Sequence, residues 1–203
     1  MGLMNTLNSD ILVLAYSQGF FPMPHPETEE ICWFNPDPRA IIPLDQFHAS
    51  RSLKRSVRKQ RFTFSIDQAF SMVMAGCADR NDTWINKEIK SVYEDMFRRG
   101  LAHSFEVWQD GQLVGGLYGV SLGRAFFAES KFHKATDASK AALWVLVETL
   151  NELRCELLEV QFLTRHLASL GAVELSNFDY QKRLSKALTS TVTYPKGQLE
   201  APL

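Results

Sequence analysis

Two turn signals, Asp110-Gly111 and Gly123, cut the stretch from Phe105 to Ser130 into three short apolar runs. Asp-Gly is a hairpin dipeptide because a tight type I′ turn needs positive φ at both central residues. The runs Phe105–Trp108, Leu113–Val120 and Arg124–Ser130 are therefore predicted to pair as an antiparallel meander. A meander fixes the middle of a sheet, and the rest of the chain must cover it. Asp137 then caps a long helix whose inner stripe is Leu143, Leu146, Val147 and Leu150. A strand over Leu157–Phe162, a helix over Thr164–Leu170 ended by Gly171, and a short strand over Val173–Leu175 follow. Ser176 and Asp179 form a capping box for a last helix, and Ser190–Tyr194 is predicted as the final strand.

Upstream, Ser9 caps a helix over Asp10–Gln18 that stops at Gly19. The stretch from Phe21 to Pro43 holds most of the prolines and reads as irregular. Helices are predicted over Ser50–Arg61, over Asp67–Ala78, and from the cap Asn86 to Gly100. In the last of these Ile89, Val92, Tyr93, Met96 and Phe97 keep one apolar face. This order is similar to that of the GCN5-related acetyltransferase-like fold, an α+β mixed sheet splayed at its middle with helices on both faces. Residues 1–36 are expected to form a small N-terminal α/β domain and residues 37–203 the acetyltransferase-like catalytic domain. Fold analogy does not give function. Members of that fold hold the pyrophosphate of acetyl-CoA on a glycine-rich loop. Here the loop is His133-Lys134-Ala135-Thr136-Asp137-Ala138, without glycine, so an acyl donor other than CoA is expected.

The chain has 203 residues, 45% hydrophobic and 22% charged, with a net charge of −1. One domain, or one and a half, is the expectation, with no global basic field to attract nucleic acid. Any RNA contact must be local. Cys32, Cys77 and Cys155 lie far apart and form neither a disulfide framework nor a zinc spacing, which fits a reducing cytosol. The five histidines are scattered, so neither a catalytic metal nor another cofactor is expected. Ile11–Ala15 is too short to span a membrane and lacks a basic flank, so a cytoplasmic protein is expected.

Local chemistry gathers in a few places. Arg51, Lys54, Arg55 and Arg58 fall at i, i+3, i+4 and i+7 in a run without acids. A helix so decorated can track a phosphate backbone, and it equally fits a solvated surface. Trp84 could stack on an unpaired base or sit in the core. Glu129 follows two phenylalanines on a strand that should be central, where a structural ion pair and a functional carboxylate compete. Glu159 and Gln161, two apart on a predicted strand, should share one face. That pair could orient an amine, or it could face solvent from an edge. The heptapeptide Trp33-Phe34-Asn35-Pro36-Asp37-Pro38-Arg39 reads as a rigid turn or as a shaped surface ending in an arginine.

That heptapeptide resembles the W-[WF]-x-P-D-P-R segment of the leucyl/phenylalanyl-tRNA–protein transferases. Five further blocks resemble that family in its order: Ser50–Arg55, Ala102–Trp108, Leu113–Val120, Ala138–Lys140 and Ala168–Ala172. The similarity covers roughly residues 10–185. It implies transfer of Leu, also Phe and perhaps Met, from aminoacyl-tRNA to proteins beginning with Arg or Lys, marking them for degradation. It also implies a monomer. An apolar amino-acid pocket is implied at Leu117, Phe126, Leu143, Leu146 and Leu150, and an acid at Glu129. Trp84 would pack the terminal adenosine, and Gln161 would be the catalytic amide. Three departures stand out. Glu159 occupies a catalytic aspartate position, Met23 replaces a second adenosine-packing tryptophan, and the chain begins about a quarter-hundred residues later than longer members. Two rival readings are a non-catalytic RNA-binding module and a peptidoglycan-type aminoacyl-tRNA transferase, which usually duplicates the domain.

Overall fold

A computed structural model describes residues 7–25, 28, 30–79 and 85–202. The meander is its centre. β5 (Ala102–Gln109), β6 (Gln112–Leu122) and β7 (Ala125–His133) pair antiparallel in sequence order. Asp110 and Gly111 take φ of 50° and 75°, and Gly123 takes 61°, as the turn signals require. Gly123 also lies against the carbonyls of Ala187 and Ser190, where a Cβ would clash.

The long helix α5 (Ala138–Glu152) packs on β5, β6 and β7 and leads to β8 (Leu157–Glu159). β8 runs parallel to β7, pairing Phe127 with Glu159, so the sheet is mixed. Helices cover both faces, as the element order predicts. The full order is β10-β4-β5-β6-β7-β8-β3-β9, with β3 (Arg39–Ile41), β4 (Thr63–Ile66), β9 (Val173–Leu175) and β10 (Gly197–Leu199) completing it. Alternation along each strand feeds two cores. On one face Phe105, Val107, Leu117 and Phe126 meet α5 and Leu53 and Val57 of α2 (Arg51–Gln60). On the other face Tyr118, Val120 and Phe127 meet α1 (Ser9–Ser17), α3 (Phe70–Ala78), α4 (Lys87–Arg98) and α7 (Asn177–Ala187). A short helix, α6 (Arg165–Ala168), follows β8. Among the described residues no helix is long and apolar enough to cross a membrane.

Several expectations are corrected. The proline-rich stretch is not irregular: β1 (Phe21–Pro24) and β2 (Ile31–Phe34) pair as a two-stranded sheet, and Arg39–Ile41 enters the large one. Short strands at sheet edges tolerate proline because an edge N–H needs no partner. The first turn of the predicted Asp67–Ala78 helix is absent. Asp67 takes φ 59° after β4, and the helix begins at Phe70. Asn8, not Ser9, caps α1. Asp137 precedes α5 at φ 65° without a side-chain cap, its carboxylate binding Lys140 instead. The last strand is Gly197–Leu199 on β4 and not Ser190–Tyr194.

Candidate active site

A cleft of about 1000 Å³ opens between β6, β7, the start of α5 and the loop from β8 into α6. Its size suits a ligand built of a few rigid groups. Leu117, Leu143 and Leu167 give it an apolar wall, with Met23 contributed from β1. Glu129 and Gln161 reach it from β7 and from the segment after β8.

Glu129 reaches the cleft because β7 bulges. Tyr118 pairs with Ser130, but the next residue, Gly119, pairs with Ala128, so Glu129 is the extra residue. Bulges re-aim a side chain in this way beside functional sites. Gly119 makes the bulge possible, since a Cβ there would strike the Phe127 carbonyl and the Phe126 ring. The Glu129 side chain is buried against two tyrosines. Tyr16 Oη donates to Oε1 at 2.6 Å, Tyr93 Oη lies 3.1 Å from Oε2, and the two phenols are 2.6 Å apart. Three oxygen–oxygen contacts therefore close a ring. A carboxylate with two phenols brings two protons to those three contacts, whereas a carboxylic acid brings three. Burial, reinforced by the nearby Glu159 charge, pushes the Glu129 carboxyl up to about 8, so it holds its proton at neutral pH. Both phenols lie far above their usual range for the same reason.

This protonation has a stability consequence. Folded Glu129 holds its proton more tightly than the unfolded chain does, so its contribution is complete below about pH 4.3 and is lost as pH rises toward 8. Glu129→Gln, which cannot ionise, is expected to reduce the fall in Tm between pH 5 and pH 8. Thermal unfolding across that range measures it, and an equally steep fall in the variant would place the buried proton elsewhere.

Glu159 is not where strand alternation places it. β8 ends at Glu159, and the chain turns through Gln161 at φ 65°, so the two side chains do not share a face. The Glu159 carboxylate is fully buried and does not line the cleft. Its Oε1 pairs with Arg39 Nη1 at 3.1 Å and accepts the Gln161 backbone N–H at 2.7 Å. Burial pushes Glu159 up to about 7, with Arg39 and the Gln161 N–H pulling the other way. A guanidinium stays charged at any ordinary pH, so the buried pair needs its carboxylate. The carboxylate expected to face an amine in the cleft lies instead behind it, held by Arg39 and the Gln161 backbone.

Arg39 accounts for the heptapeptide. It is not a surface group but the largest fully buried side chain. Its guanidinium also binds Asn35 Oδ1 at 2.9 Å and the Gly19 carbonyl, and it lies over the rings of Tyr180 and Phe21 at 4.5 and 5.0 Å. Asp37 Oδ1 accepts the Asn177 N–H at 3.0 Å, fixing the start of α7. The segment is thus a clamp joining β3, β8 and α7.

Gln161 lines the cleft. Its side-chain Nε2 lies 3.4 Å from Glu129 Oε2 at the cleft surface. Of the predicted apolar pocket, Leu117 and Leu143 border the cleft, while Phe126, Leu146 and Leu150 lie behind them in the core with no exposed surface at Phe126, Leu146 or Leu150. The correction is geometric: α5 turns Ser139, Lys140 and Leu143 of its first two turns to the cleft, while Leu146 and Leu150 lie further along in the core. Arg51, Lys54, Arg55 and Arg58 are exposed on α2, and Lys54 Nζ lies 5.6 Å from the Trp144 ring. Trp84 lies outside the described residues. Sequence reasoning missed Tyr16, Tyr93 and Phe162. The tyrosines carried only helix periodicity. Phe162 was read as the end of a strand, yet it is 43% exposed at the cleft and edge-on to Phe21 at 5.9 Å.

Comparison with known proteins bears on this geometry. Residues 41–185 match the family model described as leucyl/phenylalanyl-tRNA protein transferase. Residues 5–37 match the model of that family's N-terminal domain. Among curated proteins, the leucyl/phenylalanyl-tRNA–protein transferase of Herpetosiphon aurantiacus is 48% identical over 189 residues, covering 93% of this chain and 98% of the relative. That of Paramagnetospirillum magneticum is 47% identical, covering 96% and 95%. That of Roseobacter denitrificans is 48% identical, covering 97% and 94%.

Proposed function

The chain belongs to the leucyl/phenylalanyl-tRNA protein transferase family of aminoacyltransferases, and from that premise we propose how its cleft joins an aminoacyl-tRNA to a protein N-terminus. The donor's aminoacyl side chain, Leu, also Phe and perhaps Met, lies on Leu117 and Leu143. Phe126, Leu146 and Leu150 stiffen that wall from behind. Trp84, Met23 and Phe162 pack the terminal adenosine, and Arg51, Lys54, Arg55 and Arg58 follow the tRNA backbone. The acceptor is a protein beginning with Arg or Lys, which the added residue marks for degradation. A monomer without cofactor performs this in the cytoplasm.

The chemistry asks little of any base. An aminoacyl ester is already activated, and an α-amine with pKa about 7.7–8 is partly neutral at pH 7. The amine attacks the ester carbonyl, a C–N bond forms, and the bond to the ribose oxygen breaks. The amine proton ends on that ribose oxygen. Positioning then carries most of the rate. The observation that carries the proposal is the Gln161 amide, held in the cleft beside its leucine wall and 3.4 Å from a buried Glu129. It can orient the amine or the developing oxyanion. Transfer of labelled Leu from Leu-tRNA to a peptide beginning with Arg tests the reading, and absence of transfer with folded protein would refute it.

A second outcome concerns the donor end. Phe162→Ala is expected to weaken donor binding by about 1–3 kcal/mol, the usual worth of one aromatic platform under a base. Competition with an aminoacyl-adenosine analogue measures it. Unchanged affinity would leave Phe162 as a partner of Phe21 alone.

A further inference from the structure

Apart from Glu129 and Asp137, every titratable side chain lining the cleft is a base: Lys131, His133, Lys134, Lys140 and His166. The two acids do not balance them. Glu129 is held by its tyrosines, and Asp137 is taken by Lys140 at 2.8 Å. Lys131 and Lys134 have no acidic partner among the described residues. The crowding is felt within the wall: burial first, then Lys131, Lys140 and His133, lower the His166 pKa, while burial lowers that of Lys131. A fold that keeps such like charges together gains from a ligand of opposite sign.

The wall is also continuous with α2. Gln60, at the end of that helix, donates to the Thr136 carbonyl at 2.9 Å, and Thr136 lines the cleft. Beyond it Arg51, Lys54, Arg55, Arg58 and Lys59 border a shallow groove of their own. One basic path therefore runs from the outer face of α2 to Lys131, and successive negative charges along one chain are what it suits. The acceptor has the wrong sign for it, since a peptide beginning with Arg or Lys is repelled.

Resting on the reading above, we propose that Lys131 and Lys134, with Lys140, His133 and His166, form a phosphodiester subsite in the cleft. It holds the linkage between the last nucleotides of the donor RNA. The 3′ end then enters over α2 and passes this wall, which carries the terminal ester to Gln161. The basic helix and the cleft are parts of a single track, and the cleft cations set how far the ester advances.

Dinucleotide donors test this. Leucyl-CpA with its natural phosphodiester is compared with leucyl-CpA carrying a neutral methylphosphonate, so that only the linkage charge differs. The natural linkage is expected to raise kcat/KM about tenfold or more, the worth of a charge-assisted contact. The non-acylated dinucleotides should compete for the cleft in the same ratio. In Lys134→Gln, and in Lys131→Gln/Lys134→Gln, the ratio is expected to fall toward one. Lys134 is exposed, so the single variant keeps the test valid if the double one unfolds. A ratio near one in the parent, or one unchanged in Lys134→Gln, would overturn the subsite while transfer continued. Variants that raise KM for the acceptor peptide alone would assign the wall to the protein substrate and overturn it as well. Absence of transfer from every donor, with the binding ratio intact, would count against the transferase reading and not against the subsite.

Discussion

Glu159→Ala is expected to cost about 3–5 kcal/mol of folding stability, because it strands a buried arginine. Arg39 and Glu159 have side-chain exposures of 1% and 0%, and their contact is 3.1 Å. Removing the carboxylate leaves a guanidinium in the core with only Asn35, the Gly19 carbonyl and two aromatic faces around it. Denaturant unfolding measures the loss as a shift of midpoint at constant slope. Replacing both partners with apolar residues, as in Arg39→Met/Glu159→Leu, should recover most of that stability, since neither charge is then buried alone. Transfer should not return with it. Glu159 Oε1 also holds the Gln161 N–H, and it is expected to have a positioning role for Gln161 through the backbone. Parental unfolding of Glu159→Ala would show that Arg39 finds another anion, and full transfer by the apolar pair would remove the positioning role.

The same pair shows what single-sequence reading reaches. The meander was legible because its turns need Asp110-Gly111 and Gly123, and local φ demands are written in local residues. α4, with its cap Asn86, and α7, with its capping box, were legible for the same reason: Asn86 Oδ1 accepts the Ile89 N–H and Ser176 Oγ the Asp179 N–H. The short strands β1 to β4 were not. β3 and β4 hold their places by pairing with distant segments, and β1, which pairs with β2, carries prolines of weak strand propensity. The site divides along that line too. Leu117, Leu143, Glu129 and Gln161 line one cleft. The facing of Glu159 was misread because period-two alternation assumes the strand continues, and β8 stops there. Nothing near Glu159 in sequence announces Arg39, its partner 120 positions away. The Glu129 bulge was equally hidden, since one extra residue in a strand leaves no mark on composition.

Gln161→Ala is expected to lower kcat about 10²–10³-fold, as loss of one preorganised amide donor does. The geometry leaves this residue little other purpose. It stands at φ 65°, a left-handed conformation that costs a side-chain-bearing residue about 1–2 kcal/mol. Its backbone is held on both sides: the N–H binds Glu159 and the carbonyl accepts the Ala40 N–H at 3.1 Å. With the main chain pinned, the side chain leaves toward the cleft, where Nε2 comes within 3.4 Å of Glu129. Strain maintained by surrounding contacts is common where geometry serves a site. Gln161→Gly separates the two effects. Relief of the left-handed strain should leave stability equal to the parent or slightly above it, while transfer falls as far as in the alanine variant. Donor affinity, set by the leucine wall and the aromatic platform, should stay near the parental value in both. Single-turnover transfer beside equilibrium donor binding distinguishes these outcomes. Parental kcat in Gln161→Ala would move the amine-orienting role to the Glu129 carboxyl and its two tyrosines.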